Sequence, residues 1–192
     1  MIVSVGKEGN FWLSSRVKEL GGNVEDNNTY MGIRLEINNS TAEPLYELSL
    51  DPKIYRSREN IKIKTHCFCR HGQILLLKYF GLPLVGGHTP FIEIDKNYSA
   101  TKFPNSNFAI LYRDDNICTW ERAIECMEKI NEITGGKLLV QRLGDYLNDT
   151  PTTPQKLNDN SIKPSNLNII PGHISEEILP GFKDNFLLFL EQ

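Results

Sequence analysis

The 192-residue sequence predicts an α/β fold in which a mixed sheet is flanked by helices. Three observations predict it: a strand, glycine turn and helix in residues 1–22, several short strand-like runs within 30–65, and one long amphipathic segment at 119–136. We expect residues 1–104 to form an N-terminal lobe and residues 105–192 a smaller α+β lobe. The two lobes either merge into one compact domain or pack closely together.

The first residues are arranged as the opening of an α/β domain. MIVSV, residues 1–5, predicts a strand. FWLSSRVKEL, residues 11–20, predicts a helix because its apolar residues recur with helical spacing, and Gly21-Gly22 follow it as a C-terminal cap.

The region that follows is dominated by strand patterns. MGIRLEI, LYELSL and NIKIKT, all within residues 30–65, have alternating or β-branched character and predict short strands, with turns at 42–44 and 51–52. GQILLLKYF, residues 72–80, suits a buried strand or a buried helix. The near absence of β-branched residues and the glycines that bound it favour a short helix.

The clearest element is a helix in TWERAIECMEKINEITGG, residues 119–136. Thr119 can cap it, and glycines end it. Its apolar face consists of Trp120, Ala123, Ile124, Met127 and Ile130. The runs FIEI at 91–94 and FAILY at 108–112 predict strands that precede this helix.

The C-terminal part combines a strand, a polar segment and a last helix. KLLVQRL at 137–143 predicts a strand, and the apolar run within 177–192 predicts a helix that docks on the body. Residues 148–165 have few apolar side chains, so we expect a mobile surface loop there.

Composition narrows the classes of partner. The net charge is −3 and the pI is about 5.8, so no strong positive field predicts nucleic-acid binding. No apolar run approaches the roughly 18 residues of a membrane span, and the N-terminus lacks a signal-peptide pattern. We therefore expect a cytoplasmic protein that binds neither nucleic acid nor membrane, with its four cysteines reduced.

The stretch HCFCRH, residues 66–71, carries the most reactive residue types. A zinc site normally needs two ligand pairs at suitable spacing, and this stretch offers no matching distant pair. Cys69 with His88 as its base faintly resembles the transglutaminase-like cysteine hydrolases, in which the cysteine begins a helix. Packed structural thiols, with Cys67 and Cys69 on a strand, are the favoured interpretation.

Two longer stretches point to one family. GQILLLKYFGLPLVGG, followed after a spacer by DKNYSATKF, resembles the ATP-grasp carboxylate-amine ligases, particularly D-alanine-D-alanine ligase and the RimK-like enzymes. The segment Gly81–Gly87 matches the glycine-containing loop of that family, and Asp95-Lys96 matches the pair that opens its nucleotide-binding part. NLNIIPGH, residues 166–173, resembles the family's metal-binding stretch near the C-terminus.

The resemblance implies a function and a set of site residues. The protein would be a contracted or degenerate relative of the peptide-bond-forming ligases, acting on amino acids or peptides with ATP and Mg²⁺ as cofactors. Lys96 would contact nucleotide phosphates, Gly86 and Gly87 a substrate or the nucleotide, and Asn168 the metal. Asn166 stands where the family has a metal-binding Glu, and a neutral amide supplies less charge to Mg²⁺, so activity would be impaired.

Two alternatives remain open at this point. The chain can be a non-catalytic module that binds a small molecule or a protein partner, or a thiol hydrolase of the transglutaminase type. The sequence identifies no catalytic residue for the ligase reaction.

Overall fold

The computed structural model describes residues 3–6, 9–25, 28–89 and 103–191. The helices are α1 (Asn10–Glu19), α2 (Asn39–Leu48), α3 (Trp120–Thr134), α4 (Leu143–Leu147), α5 (Pro154–Asn158) and α6 (Phe182–Leu190). The strands are β1 (Met31–Asn38), β2 (Tyr55–Arg58), β3 (Ile61–Cys69), β4 (Gln73–Tyr79), β5 (Leu82–His88), β6 (Asn105–Asp114), β7 (Leu138–Val140) and β8 (Ile169–Pro171). The predicted α/β class with flanking helices is thereby confirmed, but among the described strands no sheet is mixed: two sheets are antiparallel and the short third one is parallel.

The main sheet has four antiparallel strands in the order β1-β6-β3-β2. Strands β4 and β5 form a separate hairpin, and β7 and β8 form a short parallel pair. Strand β6 comes from the predicted C-terminal lobe, yet it lies between β1 and β3. The boundary predicted at residue 104 therefore falls between strands of a single sheet.

The core lies on one face of the main sheet. Ile110 and Tyr112 alternate with outward-facing residues along β6, and they are 1% and 0% exposed. Two aromatic rings of α6 cover them, Phe182 and Phe186, which stack with ring centroids 5.5 Å apart. Helix α2 covers the rest of this face, where the ring of Tyr46 meets Phe68 edge-on.

The predicted helix at 119–136 is confirmed as α3. The Thr119 hydroxyl accepts a hydrogen bond from the backbone N–H of Arg122 over 3.2 Å, which satisfies one of the free donors of the first turn. Gly135 closes the helix in the left-handed conformation with a φ of 61°. The predicted helices at residues 11–20 and near the C-terminus are confirmed as α1 and α6.

The strand predicted for LYELSL is wrong, because most of this segment belongs to helix α2. Ala42 and Tyr46 are both buried and stand one helical turn apart, so the segment packs on the sheet as a helix. The turn predicted at 42–44 is wrong for the same reason, and Pro44 lies inside the helix.

The helix predicted at residues 72–80 and the glycine loop after it are also wrong. Tyr79 pairs with Leu82, so β4 and β5 are joined by a two-residue turn made of Phe80 and Gly81. Both turn residues have positive φ, 49° and 79°, as the common type I′ hairpin turn requires. The segment resembling a ligase loop is therefore a β-strand.

Other predicted segments have mixed outcomes. Residues 3–5 form no strand, whereas the strand predicted at 137–143 is confirmed in part by β7. The predicted polar loop at 148–165 contains helix α5, and it is joined to the body where the backbone N–H of Thr152 bonds the carbonyl of Gly172 over 3.0 Å. The strand predicted at 91–94 lies outside the described residues.

Within the described parts of the chain, no helix has the length and apolar character that crossing a membrane requires.

Candidate functional site

A cavity of about 330 Å³ lies along the outer edge of β1. Strand β1 is an outer strand of the sheet, so one of its edges faces this space and not another strand. Helix α3 and the hairpin strand β5 form further walls, and the β7–β8 pair closes another side.

The cavity wall is mainly aliphatic. Residues of eight elements line it, among them Leu84, Leu111, Met127, Ile130, Leu138 and Ile169. Two other lining residues, Val85 of β5 and Leu143 of α4, are 37% and 42% exposed. These two residues therefore mark where the cavity meets solvent.

Two charged side chains at the wall are already bound by the protein. Arg34 donates from Nε to Oδ1 of Asn107 over 2.6 Å and from Nη2 to the carbonyl of Cys67 over 2.8 Å. Glu36 accepts from the Asn105 amide at 3.0 Å and from the backbone N–H of Ser165 at 3.1 Å. Both side chains are therefore held in place by hydrogen bonds to neutral protein groups.

Two amide side chains at the wall are committed in the same way. Gln141 donates to the carbonyl of Thr150 over 2.7 Å and accepts from the N–H of Ile174 over 2.8 Å. Asn166 donates to the carbonyl of Ile74 over 3.0 Å and accepts from the backbone N–H of Asn168 over 2.8 Å. The Asn166 bonds hold the 166–168 turn against the hairpin, and the Gln141 bonds join the end of β7 to Thr150 and Ile174.

The two cysteines of HCFCRH lie beside Arg34 on the sheet face opposite the core. The regular pairing of β3 with β6 is interrupted by a bulge between His66 and Cys69. The Cys67 and Cys69 sulfur atoms are 4.0 Å apart, and Arg34 Nη2 donates to Cys69 Sγ over 3.0 Å. Burial raises the pKa of the Cys69 thiol, and the nearby Arg34 charge opposes that rise.

The predicted ligase residues do not converge on the cavity. Gly86 and Gly87 lie on β5 but are not among the described residues that line it, whereas Asn166 is. Asn168 is exposed. Lys96 lies outside the described residues, so its place relative to this cavity stays a prediction.

The hydrolase interpretation is wrong in its structural premise. Cys69 ends a strand and is followed by another strand, β4, so no helix N-terminus lowers its pKa. In the described part of the chain, no cluster of three or more His, Cys, Asp or Glu side chains could hold a metal ion.

Sequence reasoning missed Arg34 and Asn107 as residues of a packed site. Arg34 alternates with apolar residues in MGIRLEI, a pattern that by itself is typical of a polar residue on a solvent-facing strand face. The hairpin β4–β5 instead covers this face, with Gly87 directly against the guanidinium. Two features of the sequence could have indicated this packed site. One is the polar residue on the β1 face, and the other is the glycine pair at 86–87, where a second backbone can approach closely.

No protein-family model matches the chain, and neither do curated proteins or solved structures. Its function is therefore argued from the geometry of its own residues.

Proposed function

We propose that this protein is a binding module whose cavity along β1 holds a small, uncharged and mostly apolar molecule. One observation carries the proposal: the wall is mainly aliphatic, while Arg34, Glu36, Gln141 and Asn166 each form hydrogen bonds with protein partners. Ligand sites are typically apolar pockets of about 300–1,000 Å³. At about 330 Å³ this cavity is near the lower end of that range, which favours a small ligand.

The expected affinity follows from the apolar area that the ligand buries and from the cost of immobilising it. A ligand as large as an aromatic side chain buries about 200 Å², which contributes about 5 kcal/mol at about 25 cal/mol per Å². Immobilising the ligand subtracts several kcal/mol. For a ligand of this size, binding no tighter than about millimolar is therefore expected, because a Kd of about 1 mM corresponds to about 4 kcal/mol.

The hydrogen-bonded polar side chains of the wall also determine whether the cavity prefers charged or uncharged ligands. A charged ligand would compete with the protein partners that already hold Arg34 and Glu36 or enter an aliphatic environment, and a buried charge without a partner is costly. An uncharged aliphatic ligand buries no charge, so its binding free energy does not include this cost. The cavity should therefore bind 1-octanol more tightly than octanoate. The two molecules have the same chain length, but the headgroup of 1-octanol is neutral and that of octanoate is negatively charged.

The test is binding of the neutral fluorescent probe N-phenyl-1-naphthylamine, with 1-octanol and octanoate as competitors. Val85→Trp places a large ring at the mouth and should weaken probe binding at least tenfold. Leu77→Trp is the matched control, since Leu77 lies on the neighbouring strand β4, is 43% exposed and does not line the cavity.

A second substitution tests the interior. Ala109 lines the cavity and is 9% exposed, so Ala109→Leu should reduce its free volume and lower probe affinity without blocking the mouth. Equal probe binding by all variants, or octanoate competing as well as 1-octanol, would remove the proposal.

Kinship with the ATP-grasp ligases remains a second proposal, supported by the sequence matches at 81–87 and 166–173. It keeps ATP-grasp-like elements, ATP and Mg²⁺ as cofactors, and an amino acid or peptide as substrate. Lys96, Gly86, Gly87 and Asn168 would supply its contacts. Saturable Mg²⁺-dependent ATP binding would support it and is independent of the outcome with apolar probes. A cytoplasmic location stays a prediction.

A further inference from the structure

We propose that Cys67 and Cys69 form a redox-active dithiol that small disulfides of the glutathione type oxidise to an intramolecular disulfide. This inference is independent of the cavity's ligand. It replaces the expectation that both thiols only fill space.

The backbone brings the two sulfur atoms together. Residues i and i+2 of a regular strand are about 6.6 Å apart, near the upper limit for a disulfide. The bulge in β3 changes this spacing, with Cys67 in the left-handed region at a φ of 52°. The sulfur atoms lie 4.0 Å apart, so side-chain rotation can bring them into bonding distance.

The two thiols are suited to different roles. Cys67 is exposed and can meet an oxidant from solution, whereas Cys69 is only 3% exposed. A large disulfide can therefore reach Cys67 but not Cys69. This is the arrangement of an attacking thiol and a resolving thiol.

Arg34 is positioned to assist the resolving step. Its Nη2 donates to Cys69 Sγ over 3.0 Å, and its Nε is fixed by Oδ1 of Asn107 over 2.6 Å. Asn107 is fully buried, and its Nδ2 has no hydrogen-bond partner in the part of the chain that the structure describes. Asn107 thus fixes the guanidinium through Oδ1 even though its own Nδ2 is left unpaired. A fixed positive charge beside Cys69 stabilises its thiolate at the moment of attack.

The chemistry balances in two steps. The Cys67 thiolate attacks oxidised glutathione, forms a mixed disulfide and releases one reduced glutathione. The Cys69 thiol then loses its proton to water, and the resulting thiolate attacks Cys67 Sγ and displaces the second reduced glutathione. The two protein thiols are oxidised by two electrons, and the glutathione disulfide is reduced to two thiols.

The remaining cysteines provide an internal comparison. Cys118 and Cys126 are 0% and 5% exposed, and burial raises the pKa of both thiols. Neither offers an exposed attacking sulfur. Oxidation of the folded protein should therefore begin at Cys67.

Trypsin separates the relevant residues cleanly. Cleavage after Lys64 and Arg70 gives the peptide THCFCR with both proposed partners, while Cys118 and Cys126 fall on two other peptides, 114–122 and 123–129. The purified full chain is incubated with oxidised glutathione at neutral pH, then unfolded, alkylated and digested. The expected THCFCR peptide has lost two hydrogen atoms and carries no alkyl group, while the other two peptides are fully alkylated.

Variants test the assigned roles. Cys69→Ser should stop the reaction at a glutathione adduct on Cys67, and Cys67→Ser should leave Cys69 free to alkylate after unfolding. Arg34→Met should slow the second step at least tenfold, so that the adduct accumulates, whereas the exposed Arg58→Met should not. Circular dichroism establishes that each variant is folded.

Three results would overturn the proposal: a stable adduct on Cys67 in the unmodified sequence, disulfide-linked dimers through Cys67, or oxidation of Cys118 and Cys126 before the THCFCR peptide.

Discussion

The guanidinium of Arg34 lies directly against the backbone of Gly87, so closely that a Cβ on Gly87 would be 1.9 Å from Arg34 Nη2. Arg34 cannot simply swing away, because Asn107 and the carbonyl of Cys67 hold two of its nitrogens. The contact joins the β4–β5 hairpin to the main sheet. Glycine at position 87 is thus explained by packing, without a bound nucleotide or substrate.

This contact predicts the effect of Gly87→Ala. The added methyl group must displace Arg34 or the hairpin, so the free energy of unfolding should fall by about 1–3 kcal/mol. Arg34→Ala removes the clashing group, and in a double-mutant cycle the two effects should be strongly non-additive. Chemical denaturation measures all three variants.

Gly144→Ala is the matched control. A Cβ there meets no atom within 4 Å, so alanine should be neutral or stabilise by about 0.4–1 kcal/mol. If Gly87→Ala is as mild as Gly144→Ala, the hairpin does not pack on Arg34 as described.

Elements defined by local signals were predictable from the sequence. Helix α3 is indicated by its N-cap residue Thr119, by the helical spacing of its apolar residues and by the C-cap glycine Gly135. Each of these signals acts within one helical turn of its own position. Strands β1 and β6 likewise follow from alternating or β-branched residues. The errors came where a tertiary partner decides between two local possibilities.

The hairpin β4–β5 is the clearest of these errors. An apolar run of this length can form either a helix or a strand. The feature that decides for the hairpin is the turn, in which the bulky residue Phe80 takes a positive φ of 49°. Nothing in the local sequence favours that. The candidate cavity was beyond prediction for a related reason, since its walls come from eight elements that only the folded chain brings together.

A second prediction concerns the cap of α3. Thr119→Ala removes the hydroxyl that accepts from the N–H of Arg122, and it should lower the free energy of unfolding by about 1 kcal/mol. Thr153 makes the equivalent bond to the N–H of Lys156 at the start of the five-residue helix α5. Because α5 is so short, Thr153→Ala should cost clearly less in the same denaturation experiment. Equal costs would contradict the view that α3 is a core element and α5 a peripheral one.

A third prediction concerns pH. The pKa of Asp145 is lowered chiefly by a hydrogen bond that its carboxylate accepts from Lys156 over 2.9 Å. A second hydrogen bond, from the Thr152 hydroxyl over 2.7 Å, lowers it further. A carboxyl whose pKa is lower in the folded state stabilises the protein above its unfolded pKa of about 3.9. That contribution is lost as the pH falls through the lower folded value.

Asp145→Asn should therefore destabilise the protein at pH 6, and its difference from the unmodified protein should shrink as the pH is lowered toward 3. Amide exchange in residues 150–158 should also become faster, since Asp145 is the anchor of that segment. Asp159→Asn, an exposed residue on the same segment, is the control and should change neither quantity. A difference that grows toward acid pH would have the wrong sign for this mechanism.

The fourth prediction separates a structural from a metal-binding role for the asparagines of the 166–168 turn. Asn166→Ala removes bonds to the carbonyl of Ile74 and from the N–H of Asn168, and it should cost about 1–3 kcal/mol of stability. Asn168→Ala changes an exposed side chain and should stay within about 0.5 kcal/mol. Thermal or chemical denaturation without metal gives both values.

The ligase proposal predicts a different pattern for the same residues when Mg²⁺ and ATP are added. Asn168 would then contact the metal, so Asn168→Ala should weaken Mg²⁺-dependent ATP binding while leaving stability unchanged. Lys96→Ala should weaken ATP binding about ten- to a hundredfold, because a charge-assisted bond contributes about 1.5–3 kcal/mol. Asn166→Glu should strengthen the dependence on metal by restoring a carboxylate. Calorimetry at millimolar ATP decides: no heat with or without Mg²⁺ would remove the ligase proposal and leave Asn166 as a residue that ties a turn to the β4–β5 hairpin.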